Sequence, residues 1–145
     1  MTTQFLTFAL AGTAYAIPLE RVREVVGCKT VVRVPNAGEF VRGVMNLRGS
    51  VVPVIDLARR IGAGDTTLSD TTCAVLMETD IDGETSAVAG LVEEIRSILE
   101  LESGAVSATP EFGTPADPRL VRGVSAEGEH LVYLLDLDEV FVGIA

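Results

Sequence analysis

An internal repeat constrains this chain more than any other feature. Val41–Gly62, VRGVMNLRGSVVPVIDLARRIG, is matched without a gap by Val121–Phe141, VRGVSAEGEHLVYLLDLDEVF, 80 residues later. Val41, Arg42, Gly43, Val44, Val52, Asp56 and Leu57 meet Val121, Arg122, Gly123, Val124, Val132, Asp136 and Leu137, and Pro35 meets Pro115 ahead of them. The earlier halves also correspond, at a shorter offset. Leu19-Glu20-Arg21-Val22 matches Val92-Glu93-Glu94-Ile95, and Arg23-Glu24-Val25-Val26 matches Arg96-Ser97-Ile98-Leu99. Self-similarity at a fixed offset signals one supersecondary unit used twice.

The unit is a β-unit. Gln4–Leu10 and Ala14–Pro18 read as strands reversing at Ala11-Gly12-Thr13, and Leu19–Val22 as a single helical turn. Glu24–Val34 is valine-rich and reads as strand, ending at the turn Pro35-Asn36-Ala37-Gly38. Arg42–Leu47 and Ser50–Ile55 form a hairpin across Arg48-Gly49, after which Asp56 caps a short helix over Leu57–Ile61 that Gly62 ends. Ala63–Asp70 is small and polar and reads as a linker. Thr72–Thr79 and Glu84–Leu91 form the next hairpin, with the turn signal Asp82-Gly83. Ser103–Pro118 reads as a long loop with a short helix near Glu102–Val106. Leu120–Ser125, Leu131–Leu135 and a helix capped by Asp136 close the chain.

About five short strands per unit, with a helix to cover an end, suit a small barrel, because closure hides strand edges. The expectation is an all-β fold with short helices: two five-stranded barrels packed side by side within one 145-residue domain. Residues 1–65 and 71–145 would form the two subdomains, and the repeat leaves open whether strands are exchanged between them. With 48% hydrophobic residues, only 5% aromatic and no Trp, aliphatic side chains must fill the cores.

The formal net charge of −10 and the scattering of ten arginines and Lys29 argue against nucleic-acid or anionic-membrane binding. No apolar run reaches the ~18 residues of a membrane-spanning helix. Ala14-Tyr15-Ala16 mimics a signal-peptidase site, but Met1–Gln4 lacks the cation of a signal peptide, so a cytoplasmic location is expected. Cys28 and Cys73 have no metal or redox spacing and read as buried free thiols.

Nothing in the chain carries catalytic chemistry. His130 follows Glu129 at a hairpin tip, and Asp136 is explained as a cap because Asp56 holds the same place with no histidine nearby. Phosphate-loop, dinucleotide, HExxH and EF-hand patterns are absent. No cofactor or metal is expected. What remains is a binding surface. The copies diverge most at Met45–Ser50, MNLRGS, against Ser125–His130, SAEGEH, so the Arg48 tip has no counterpart in the second copy. Arginine is enriched at interface centres.

These residues resemble the CheW-type chemotaxis coupling proteins. The resemblance rests on Phe5–Leu10, Tyr15-Ala16-Ile17-Pro18, Val22–Val25, the dense run Arg42–Leu57 (GVxNLRGxxxPxxDL within it), Val92–Ile95, Gly123-Val124 and Leu134–Leu137. The family usually has VDxV where this chain has Val92-Glu93-Glu94-Ile95, which keeps the charge and adds a methylene. The resemblance implies SH3-like barrels and no catalysis. It implies an adaptor joining chemoreceptor cytoplasmic tips to the regulatory domain of a CheA-type histidine kinase, or a scaffold of a related pilus or gliding pathway. It also implies site residues: a receptor groove between the barrels lined by Val22, Gly43, Val44, Ile95 and Ile98, with Glu24 tied to receptor coupling and Arg48 to the kinase or to coupling. Two further expectations attach to these positions. Glu24, two residues beyond Val22, should share its strand face. Gly43 should let a helix approach the backbone.

Overall fold

The structure, a computed structural model, describes residues 2–28, 30–81, 83–102, 106–107 and 116–142. Ten strands run in the order β1 Thr2–Leu10, β2 Thr13–Pro18, β3 Val22–Gly27, β4 Val41–Leu47, β5 Ser50–Asp56, β6 Cys73–Ile81, β7 Glu84–Val92, β8 Glu94–Glu102, β9 Val121–Glu127 and β10 His130–Leu135. Short helices α1, Leu57–Arg60, and α2, Leu137–Val140, follow β5 and β10. Each is capped as expected, Asp56 accepting from the Arg59 amide and Asp136 from the Glu139 amide.

The strands form two five-stranded sheets, β8-β1-β2-β10-β9 and β3-β6-β7-β5-β4. The sheets therefore do not follow a division into residues 1–65 and 71–145; strands are exchanged across it. Each sheet combines the hairpin of one copy with three strands of the other. Chain length explains the exchange. β8 and β2 both run antiparallel to β1 and so lie parallel to each other. For β3 to take the place of β8, the chain would have to return the length of β2 and cross β1. Only Leu19–Arg21, a single 3-10 turn, separates β2 from β3. Three residues span about 10 Å, whereas parallel crossovers need a dozen or more. Only Glu93 separates β7 from β8, so the second copy is under the same constraint. Each hairpin is therefore completed by the other copy.

Each sheet closes on itself through the segment after its edge strand. Val32 exchanges two backbone hydrogen bonds with Val44, of 2.9 and 2.8 Å, and Ser107 does the same with Val124, both at 2.9 Å. The strand expected to run to Val34 thus ends at Gly27, and the chain returns to close the barrel. Val92–Ile95, matched by repeat to a helical turn, passes almost directly from β7 into β8. The expected helix near Glu102–Val106 falls largely outside the described residues.

The largest apolar cluster joins the barrels. Leu6, Phe8, Tyr15 and Ile17 of one sheet meet Ile55, Val75, Met77 and Val88 of the other, with Leu57, Leu137 and Phe141 from the helical ends. Smaller cores fill each barrel, around Val52, Val54, Ala74, Leu76 and Leu91 in one and Phe5, Ala16, Leu101 and Leu134 in the other. Arg60 ties the copies further. Its guanidinium donates to the Val140 and Glu139 carbonyls at 2.7 and 3.0 Å and lies 5.1 Å from the Phe40 ring centre.

Tyr15 is fully buried in the joining core, 5.9 Å from the Tyr133 ring, and its hydroxyl has no hydrogen-bond partner among the described residues. Burial pushes its pKa up to about 12, with the Tyr133 phenol adding to the effect. An unpaired buried hydroxyl costs about 1–3 kcal/mol. Tyr15→Phe is therefore expected to raise stability by about 1 kcal/mol in a urea titration. A loss of that size would instead assign the hydroxyl a partner.

Candidate functional site

Register decides which side chains can form a surface between the barrels. In the β3–β6 pairing Val22 faces Met77, Glu24 faces Leu76 and Val25 faces Val75, with a bulge over Arg23. Met77 and Val75 belong to the joining core, while Leu76 belongs to the barrel's own core. Val22 and Val25 therefore share the inter-barrel face and Glu24 lies on the opposite one. This corrects the expectation that Glu24 follows Val22 on one face: the extra residue of a bulge inverts the alternation. β8 repeats the device. Ile95 faces Phe8 and Ile98 faces Leu6, with a bulge over Arg96.

Four aliphatic residues thus edge the joining core where it reaches solvent. Val22 and Ile95 pack against the core from partly buried positions, while Val25 and Ile98 are 38% and 57% exposed. Neither barrel makes this margin alone.

Glu24 reaches the other way. Its carboxylate accepts from the Arg48 guanidinium, so two residues expected to serve different partners form one ion pair. Arg48 and Gly49 are the two-residue loop between β4 and β5, both with positive φ, of 51° and 86°. The Asn46 side chain accepts from the Gly49 amide at 2.9 Å. An arginine in that left-handed conformation is disfavoured, and its repeat equivalent is Gly128. Glu24 corresponds by repeat to Ser97, which is instead tied to the Thr7 hydroxyl at 2.8 Å. The charged pair therefore exists in one barrel only.

Gly43 does not join the inter-barrel margin. Gly43 is buried, and a Cβ there would lie 2.2 Å from the Val32 carbonyl oxygen and 2.8 Å from a Val31 methyl carbon. The glycine admits the chain's own closing segment, which corrects the expectation of an open backbone for an incoming helix. Val44 stands on the outer face of that seam, between Val32 and Pro53. Val32 and Val51, 67% and 69% exposed, extend this face toward Arg48. Their exposure was not visible in the sequence, where valine alternation reads equally well as core.

Among the described residues no arrangement suits catalysis. Cys28 is buried and Cys73, expected to be buried, is partly exposed; burial raises the pKa of both thiols and so disfavours the reactive thiolate. His130 is exposed. Among the described residues no group of His, Cys, Asp and Glu could hold a metal. A concavity of about 810 Å³ is lined by Arg33, Arg42, Arg59, Glu39 and Asp65 among others, but Arg42 and Arg59 are already engaged by Asp56 and Asp65. No described helix is long and apolar enough to cross a membrane.

The described chain thus forms two exchanged five-stranded barrels with an apolar margin between them and a charged turn on one. The CheW-like domain model matches residues 4–144, and the chain belongs to that family of non-catalytic scaffolds. It is 28% identical over 138 residues to chemotaxis protein CheW of Klebsiella aerogenes, covering 94% of this chain and 80% of that one. It is 26% identical over 139 residues to protein FrzA of Myxococcus xanthus, covering 94% and 84%. The crystal structure of scaffolding protein TtCheW from Thermoanaerobacter tengcongensis superposes with a TM-score of 0.84 at 26% identity, covering all of this chain and 92% of that one.

Proposed function

We propose that this chain is a cytoplasmic adaptor that couples chemoreceptor tips to a CheA-type histidine kinase, meeting the membrane only through the receptors. The observation that carries the reading is the apolar margin of Val22, Val25, Ile95 and Ile98, supplied by both barrels and left open by both cores. A helical hairpin can lay an apolar ridge into such a margin. The kinase regulatory domain docks at the other surface, where the Arg48–Glu24 pair stands at the β4–β5 turn and Val51 is exposed on the strand that leaves it. A planar guanidinium beside aliphatic side chains suits an interface core. No cofactor, metal or nucleic acid takes part. A second reading, a scaffold of a related pilus or gliding pathway, draws on the similarity to protein FrzA.

Titration with a receptor tip fragment and with a kinase regulatory domain tests the assignment. Binding of neither would overturn it. Arg48→Gly separates binding from folding at the charged tip. Glycine relieves the left-handed backbone, and an exposed ion pair is worth only ~0–1 kcal/mol. The melting temperature is therefore expected to hold or rise slightly, while kinase affinity falls about tenfold. Unchanged affinity in the folded variant would remove Arg48 from the interface.

A further inference from the structure

The two walls of the inter-barrel margin carry matched apolar residues and unmatched flanks. Val22 and Val25 on β3 correspond through the repeat to Ile95 and Ile98 on β8. Past Ile98, the same face of β8 continues to Glu100 opposite Gln4 and Glu102 opposite Thr2. Past Val25, the matching face of β3 continues to Gly27 opposite Cys73. Both carboxylates are exposed, and neither forms an ion pair with a described residue; Glu100 Oε1 accepts from the Thr2 hydroxyl at 3.0 Å.

Two matched apolar walls accept an elongated occupant equally well in either direction. Carboxylates on one wall remove that degeneracy. We propose that the margin takes the helix of its partner in one direction only, fixed by a Lys or Arg of that helix lying against Glu100 and Glu102. The proposal rests on the reading that the margin receives a helical receptor tip. Strand spacing locates the cation. Two residues along β8 advance about 6.6 Å, and one helical turn advances about 5.4 Å. For a helix lying along β8, the cation stands about one turn from the apolar residue that meets Ile98. A reversed helix would bring the cation to Gly27 and leave the carboxylates without a counter-charge. That is discrimination by an unfavourable alternative as much as by a favourable contact.

The probe is a recombinant chemoreceptor tip fragment, titrated at low and at physiological salt. Glu100→Lys with Glu102→Lys is expected to weaken binding about tenfold and to flatten its salt dependence. Ile98→Asp should abolish binding, and Glu84→Lys, at the far β6–β7 tip, should leave it unchanged. Among Lys→Glu and Arg→Glu variants of the tip, one should bind the double reversal more tightly than the unmodified tip does. Melts establish that each variant is folded. If Ile98→Asp abolishes binding while the double reversal changes it less than about twofold, the directional inference falls and the margin stands as the receptor site. If Ile98→Asp is also silent, or the unmodified protein does not bind, the underlying reading falls with it. If Ile98→Asp alters the protein's own sedimentation instead of tip binding, the occupant is a second copy and both are overturned.

Discussion

Gly43→Ala is expected to destabilise the protein by about 2–6 kcal/mol and to open the barrel of β3–β7. The added Cβ would stand 2.2 Å from the Val32 carbonyl oxygen, a backbone atom that no rotamer change can move aside. Overpacking of this kind costs about 1–3 kcal/mol, and the two hydrogen bonds between Val32 and Val44 add about 0.5–1.5 kcal/mol each when the seam parts. For a chain of this size, each kcal/mol lowers the melting temperature by about 3–4 °C, so a fall of roughly 6–24 °C follows. Gly123→Ala, the repeat equivalent, should cost less, because its nearest neighbour is a Val106 side-chain carbon at 2.4 Å and the closing carbonyl lies at 2.9 Å. Gly27→Ala has open space within 4 Å and should be silent. Equal melts for all three would refute the seam. Receptor-tip binding per folded molecule should be unchanged in Gly43→Ala, which distinguishes the seam from a groove-lining role.

Gly43 and Glu24 mark the limit of what the sequence made readable. The repeat announced a doubled fold, and turn and cap chemistry placed local features correctly: Arg48-Gly49 at the reversal, and Asp56 and Asp136 at the two helix starts. Those signals depend on a few neighbouring residues. The exchange of hairpins was also implicit, in the three residues between β2 and β3, because a chain that short cannot return across its own hairpin. Other features lay beyond pattern. A bulge over Arg23 moves Glu24 to the face opposite Val22, and no side-chain periodicity reports a bulge. The need for glycine at position 43 comes from Val32, eleven residues earlier in the chain, whose return is a tertiary event. Pairing of Glu24 with Arg48 depends on the same return. The margin itself could be listed by family resemblance, yet only register separates Val22, Ile95 and Ile98 from Gly43.

Asp56→Ala is expected to cost about 3–5 kcal/mol, against about 1 kcal/mol for the repeat-equivalent Asp136→Ala. Both aspartates cap short helices, but their surroundings differ. Asp56 is fully buried, and beyond the Arg59 amide it accepts from the Arg42 guanidinium at 3.0 Å, the Thr66 amide at 3.0 Å and the Thr66 hydroxyl at 2.9 Å. Arg42 also donates to the Thr66 carbonyl at 2.6 Å. One carboxylate therefore joins the bulge of β4, the end of β5 and the segment that leads to β6. Asp136 is only partly buried and, among the described residues, accepts only the cap bond from the Glu139 amide. Removing Asp56 leaves a largely covered guanidinium and a buried threonine without their anion, which is the costly way to break such a network. Asp56→Asn should fall between the two: the cap oxygen survives while the charge facing Arg42 is lost. Urea titrations of the three variants give the order directly. Equal shifts for Asp56→Ala and Asp136→Ala would show that the Arg42–Asp56–Thr66 network adds nothing beyond the cap.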